Sequence, residues 1–201
     1  MSSTVDEAVA ALRSGKLAIV PTDTVYGLAA DPDSASSVRE LSRLKGRPET
    51  QPIALMAAGL EHLLERIPEL HGRFASIAGA LLPGPYTLVL PNPAGRYPWL
   101  AGSRPNTIGV RIPQLDGPGR ELLERVGAIA ATSANLAGGS DPRTLDEVPG
   151  ELRAATAALL DGGPLPGLPS TVLDLTGSEP RILREGAASG AEALLIVAPV
   201  L

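Results

Sequence analysis

The chain contains no cysteine, which excludes a disulfide framework, a thiolate nucleophile and a zinc–sulfur centre. Histidine is almost as scarce. His62 and His71 stand alone in polar surroundings, so neither a histidine triad nor a histidine metal cage is expected. No apolar run reaches the roughly eighteen residues that a membrane-spanning helix needs. The first residues, "MSSTVDEAVA", carry acids and no basic segment, which argues against a secretory signal and for a cytoplasmic protein with no membrane contact. Basic residues are outnumbered 17 to 22 by acidic ones, for a net charge of −5. That balance weighs against a general nucleic-acid coat, though it leaves room for a small basic cleft in an acidic body. One tryptophan, three tyrosines and one phenylalanine are too few for a base-stacking surface. The phosphate loop G-x-x-x-x-G-K-[ST] is missing as well: Lys16 is followed by Leu17, and Lys45 by Gly46.

What is present fits one compact domain over residues 1–201. The 22 glycines and 20 prolines form no repeat or tract; they separate apolar runs and mark loops, where sites are usually built. Thr4 and Glu7 have capping-box spacing ahead of a helix carrying Val5, Ala8, Val9 and Leu12. Further helices are expected at 34–44, 59–66, 73–82, 118–126 and 149–160. Strands are expected at 17–20, 52–56, 86–90, 107–112 and 128–132. "TVLDL" (171–175) and "RIL" (181–183) read as an antiparallel hairpin, and "ALLIV" (193–197) is a last apolar run. Alternating strands and helices predict an α/β fold with a mixed sheet.

The chain's two lysines are Lys16 and Lys45, and Lys45 lies two residues from Arg47, around Gly46 and before Pro48. Thr22, Asp23, Thr24 and Tyr26 follow the first strand, Ser133 and Asn135 follow 128–132, and Ser170 heads 171–175. Thr107, Gly109 and Arg111 share one strand face by alternation. Each has an ordinary reading taken singly: helix C-terminal cations for Lys45 and Arg47, an edge residue for Arg111, a turn or cap for Ser133 and Asn135. Together, four cations (Lys45, Arg47, Arg111, Arg184) among small hydroxyls, amides and glycines suit a polyanion such as a nucleoside triphosphate. Charge-assisted hydrogen bonds of about 1.5–3 kcal/mol each would make three or four of them sufficient for micromolar binding.

The blocks "PTDTVYGLAADP", "LKGRPETQPIAL", "LLPGPYTLVLP", "TIGVRIP", "ATSANLAGG", "STVLDLTG" and "RILREGA" follow one another in an order that resembles the YrdC-type threonylcarbamoyl-AMP synthases, from about residue 8 to residue 187. The resemblance implies a YrdC/RibB-like α/β fold: a twisted mixed sheet flanked by helices and enclosing a concave basic cavity. It implies condensation of L-threonine, bicarbonate or CO2, and ATP to threonylcarbamoyl-AMP and pyrophosphate, with Mg2+ accompanying ATP. Downstream tRNA threonylcarbamoyl-transfer proteins are the implied partners, along with weak tRNA contact. A K-x-R and S-x-N tetrad falls on Lys45, Arg47, Ser133 and Asn135, the implied catalytic set. ATP would be held by Arg47, Gln51, Thr107, Asn135, Arg143 and Arg184, and threonine by Thr24, Arg111, Ser133 and Ser170. An extended "KGR" would point Lys45 and Arg47 the same way. Met56, Ala137, Arg143 and Glu185 depart from the family's usual residues. The alternatives are a related carbamoyl-transfer paralogue and a module that binds structured RNA.

Overall fold

The computed structural model describes residues 2–200. Its helices are α1 (Val5–Arg13), α2 (Ala35–Leu44), α3 (Leu60–Arg66), α4 (Arg73–Leu81), α5 (Gly117–Val126), α6 (Gly150–Ala155) and α7 (Gly190–Val197). Its strands are β1 (Ala18–Val20), β2 (Gly27–Ala30), β3 (Ala54–Ala57), β4 (Tyr86–Pro91), β5 (Thr107–Arg111), β6 (Ala128–Ser133), β7 (Ala158–Leu159), β8 (Thr171–Asp174) and β9 (Arg181–Arg184). All nine strands join one sheet, in the order β7-β1-β2-β6-β3-β5-β4-β8-β9. It is mixed: β1 with β7, β3 with β5 and β4 with β8 pair in parallel, and the remaining neighbours are antiparallel. No helix among the described residues is long and apolar enough to cross a membrane.

The sheet buries its two faces unequally, and this inequality creates the site. On one face α2, α3, α4 and α7 pack on Ile19, Leu28, Leu55, Leu88, Leu90 and Val110, all essentially inaccessible. On the other, α1 and α5 pack on Ala18, Val20, Ala29 and Ile129. Those two helices cover the β7-β1-β2-β6 half. Beyond it the same face, across β3, β5, β4, β8 and β9, carries no helix and presents Thr87, Val89, Thr107, Gly109, Arg111 and Val172 to a cavity. Alternation along β4 shows the division: Leu88 and Leu90 are buried, whereas Thr87 and Val89 are half-buried.

Most elements fall where periodicity predicts them, and the capping box forms, with Thr4 N–H donating to Glu7 Oε2 at 2.7 Å and Glu7 N–H to Thr4 Oγ1 at 3.3 Å. Two segments differ. "GLAA" at 27–30, expected to be loop, is β2; its glycine and alanines have little strand preference, but it lies between β1 and β6 and pairs with both. The expected helix over 149–160 stops at Ala155, and its second half becomes β7 on the edge of the sheet. Ala157 N–H donates to Leu17 O and Leu160 N–H to Ile19 O, both at 2.9 Å, while Ala158 and Leu160 enter the α1–α5 core. Strand pairing combined with burial outweighs the helix preference of an alanine-rich run. The final apolar run lies in α7.

Candidate functional site

The cavity on the uncovered face has a volume of about 370 Å³. Arg47, Arg104, Arg111 and Arg184 line it, and no carboxylate does. Its floor is made of small or aliphatic residues, Ala54, Gly109, Val89 and Ala131, projecting from four strands. Positive groups around a smooth apolar floor suit a ligand that is anionic at some points and flat or aliphatic elsewhere.

One wall is the C-terminal end of β6. Helix α2 stops beside it in a Schellman turn: Gly46 N–H donates to Arg43 O and Arg47 N–H to Ser42 O, both at 3.1 Å, with Gly46 at φ +63°. This corrects the expectation of an extended "KGR". The turn sends the two cations to different partners. Lys45, 4% exposed, donates through Nζ to Ser133 O and, at 2.7 Å, to Asn135 Oδ1. The Arg47 guanidinium donates to Thr132 Oγ1 at 2.9 Å and to Pro52 O at 3.0 Å, with its buried Nε unpaired. Asn135 Oδ1 also accepts from Ser133 Oγ at 2.8 Å, and Asn135 Nδ2 donates to Gly139 O at 2.6 Å. The expected tetrad therefore converges on one place, with Arg47 and Ser133 on the lining and Lys45 and Asn135 one layer behind. Burial, reinforced by Arg47 and opposed by Asp141, pushes the Lys45 ammonium down to about 8. Burial likewise lowers Arg47.

The opposite corner is built on Arg111, 6% exposed at the end of β5. Its Nη2 donates to Asp23 Oδ1 and, at 2.8 Å, to Thr24 Oγ1, leaving the buried Nε unpaired. The other oxygen of Asp23 accepts from Gln114 N–H at 3.1 Å. Burial pushes the Asp23 carboxyl up, and the adjoining guanidinium opposes that shift. Thr24 is fixed in turn by Thr22, whose hydroxyl lies 3.0 Å from its own. Arg184, at the end of β9, donates to the O of Ser170, just ahead of β8, through Nε (3.0 Å) and Nη2 (2.7 Å), and Ser170 Oγ lies 2.8 Å from Thr87 Oγ1. Arg111, Thr24, Ser170 and Arg184 thus face the same cavity from four separate stretches of chain.

Besides Asn135 in the layer behind, two further expected ligand contacts stand apart from the lining. Gln51 is exposed and not part of the lining. Arg143 is exposed as well: its aliphatic stem packs over Gly167, and its Nε donates to Leu165 O at 3.4 Å. Sequence reasoning passed over Arg104 and Thr87, which line the cavity, and Asp23 as the partner of Arg111. Arg104 follows "AGS" in what reads as an ordinary polar loop, so nothing local marks it.

A family model named Sua5_yciO_yrdC, described as "Telomere recombination", matches residues 10–186. A Mycobacterium tuberculosis protein that bears the name threonylcarbamoyl-AMP synthase provisionally is 34% identical over 90% of this chain and 83% of its own length. The threonylcarbamoyl-AMP synthase of Pyrococcus abyssi is 35% identical over 87% of this chain and 52% of its own. The solved structure of P. abyssi Sua5 complexed with L-threonine superposes with a TM-score of 0.87 at 32% identity, covering 96% of this chain and 56% of that one. The chain therefore spans little more than half the length of these archaeal proteins.

Proposed function

The chain belongs to the Sua5/YciO/YrdC family, and on that premise we propose that it is a threonylcarbamoyl-AMP synthase, a nucleotidyltransferase serving tRNA modification. The observation that carries the reading is a single cavity with four arginines, no carboxylate and a buried lysine–asparagine–serine cluster at its wall. The amine of threonine attacks the carbon of CO2, or of bicarbonate with loss of water, and gives up a proton to form a carbamate. A carbamate oxygen then attacks the α-phosphorus of ATP, the bond to the β-phosphate oxygen breaks, and pyrophosphate leaves. The Arg111 corner, with Thr24 and Ser170, receives the amino acid and its carboxylate; Arg111 Nε has no protein partner to give up.

Arg47 and Arg184 stabilise the phosphates, and Lys45 acts through Ser133 and Asn135 to hold the β6 end where the carbamate forms. No thiol or histidine lines the cavity, so the rate enhancement comes from positioning and charge neutralisation. Among the described residues no three acids or histidines gather around a common point, so a magnesium ion would enter on the ATP phosphates. The product would pass to proteins that transfer the threonylcarbamoyl group to tRNA.

Incubation with ATP, magnesium, bicarbonate and each amino acid in turn, read by mass, should yield an acyl-adenylate with threonine and release of pyrophosphate. Pyrophosphate release that needs neither threonine nor bicarbonate would overturn the reading.

A further inference from the structure

Tyr26 is the one residue of "TDTVY" (22–26) to which no role attaches. Its side chain is fully buried and stays out of the cavity lining. A phenylalanine would fill the same space, so the hydroxyl needs its own account. It accepts from Gly162 N–H at 3.0 Å, and its single proton lies between Asp161 Oδ1 at 2.8 Å and Gly163 O at 2.9 Å. Asp161 Oδ1 also accepts from Gly163 N–H at 2.9 Å. Among the described residues, every hydrogen bond of the hydroxyl is thus with one segment, "DGGPLPGLP" (161–169). That strap adopts neither helix nor strand on its way from β7, at the edge of the sheet, to β8, its eighth strand. Its placement rests on separate hydrogen bonds and on the packing of Leu165 against the core. Leu165 N–H donates to Arg143 O and Gly167 N–H to Thr24 O, both at 2.8 Å. Ser170, on the cavity wall, follows the strap directly.

We infer that Tyr26 is a positioning residue for the amino-acid corner: its hydroxyl seats the strap so that Thr24 and Ser170 stand at the spacing the amino acid needs. This inference rests on the proposed reaction, which places threonine at that corner. The tyrosine closes a ring of hydrogen bonds. Its N–H donates to Pro142 O at 2.9 Å, the next carbonyl, of Arg143, holds Leu165 N–H, and the strap returns through Gly163 and Gly162 to the Tyr26 hydroxyl. Gly167, at φ +85°, passes so close under the Arg143 stem that a Cβ would lie 2.4 Å from its carbons. Strap and 142–143 segment therefore move together, and Gly167 carries that movement to Thr24. With the ring open, residues 161–164 lose the hydrogen bonds that Tyr26 supplies, and two of them are glycines with the most conformational freedom to regain. The Tyr26 carbonyl serves the other end of the cavity, accepting at 2.8 Å from the N–H of Ala134, between Ser133 and Asn135. That bond belongs to the backbone and survives loss of the hydroxyl, so the two ends respond differently. Burial pushes the phenol up to about 12, so the donor persists wherever the protein is assayed.

The test is Tyr26→Phe in the full chain, which keeps the buried ring. Threonine affinity by calorimetry, and the threonine KM for pyrophosphate release, should weaken about fivefold, as loss of one net hydrogen bond implies. The kcat and the KM for ATP should stay at their wild-type values. Amide hydrogen exchange should quicken across 161–167 and stay slow at Ala134. Asp161→Ala, on the exposed side of the same knot, should give part of the threonine loss and add nothing to Tyr26→Phe when the two are combined. It also carries the test should the phenylalanine variant melt early. The inference is overturned by unchanged threonine affinity in Tyr26→Phe, by an equal loss for ATP, by a fall in kcat alone, or by additive losses in the double variant. Calorimetry and exchange need no turnover. Should both behave as described while the wild type releases no pyrophosphate, the positioning role stands and the synthase reading falls. A wild type that turns over threonine no better than Tyr26→Phe does removes this inference alone, and one that binds no threonine removes both.

Discussion

Arg111 and Lys45 are cations taken almost out of water, and each is tolerable only because of its partners. Removing one member of a buried pair leaves the other charge uncompensated, at a cost of about 3–5 kcal/mol. Asp23→Ala should therefore lose stability of that order in urea unfolding, and Asp23→Asn, which keeps the shape and an acceptor, should lose less. For Lys45 the sign with pH is fixed by its depression to about 8 from the ordinary 10.5. Between those values the unfolded lysine keeps a proton that the folded one has lost, so its contribution to stability rises with pH and is lost as pH falls through 8. Lys45→Met should flatten that part of the pH–stability curve. Threonine-dependent pyrophosphate release should decline above pH 8 in the wild type, since the charge that braces the β6 end is then gone; a flat rate across that range would remove Lys45's charge from the mechanism.

At the scale of elements, the stop at the end of α2 sets the direction of both tetrad cations. Gly46 adopts φ +63°, and a Cβ there would meet nothing within 4 Å, so the cost of a side chain is purely conformational. Gly46→Ala should cost about 1 kcal/mol, and Gly46→Asn less, because asparagine tolerates the left-handed region. ATP affinity should fall in step with stability across that pair, measured by calorimetry and thermal melts. Gly102, at φ +60°, shares that conformational cost and adds a steric one. A Cβ there would collide with the carbonyl of Thr50, so Gly102→Ala should displace the loop that delivers Arg104 and weaken nucleotide binding more than it lowers the melting temperature. Comparing the two variants separates a local conformational penalty from the loss of a loop's seating.

For the molecule as a whole, the site is the part of one sheet face that α1 and α5 leave bare, so its contents act on global stability. Ligands at about a hundred times their dissociation constant should add roughly 2.7 kcal/mol. For a domain of 201 residues that corresponds to about 5–10 °C in melting temperature. ATP with threonine should raise it more than either alone, and Arg111→Ala should abolish the threonine increment while keeping that of ATP. Absence of any shift with ATP would mean that the cavity is not a nucleotide site.

The local sequence determined a good deal. The capping box, the strand alternation in "YTLVL" and "TIGVRI", the hairpin at 171–184 and the run of motif blocks all depend on residues near one another in the chain, where spacing maps directly onto faces and turns. What the tertiary structure alone decided involves partners far apart. "GLAA" becomes a strand because two others flank it, the second half of 149–160 leaves the helix to pair with β1, and Lys45 and Arg47 part company at a turn whose targets lie some 85 to 90 residues away. Arg104, and the pairing of Asp23 with Arg111, escaped notice for the same reason: a salt bridge across 70 or 88 residues leaves no mark on the periodicity of either segment.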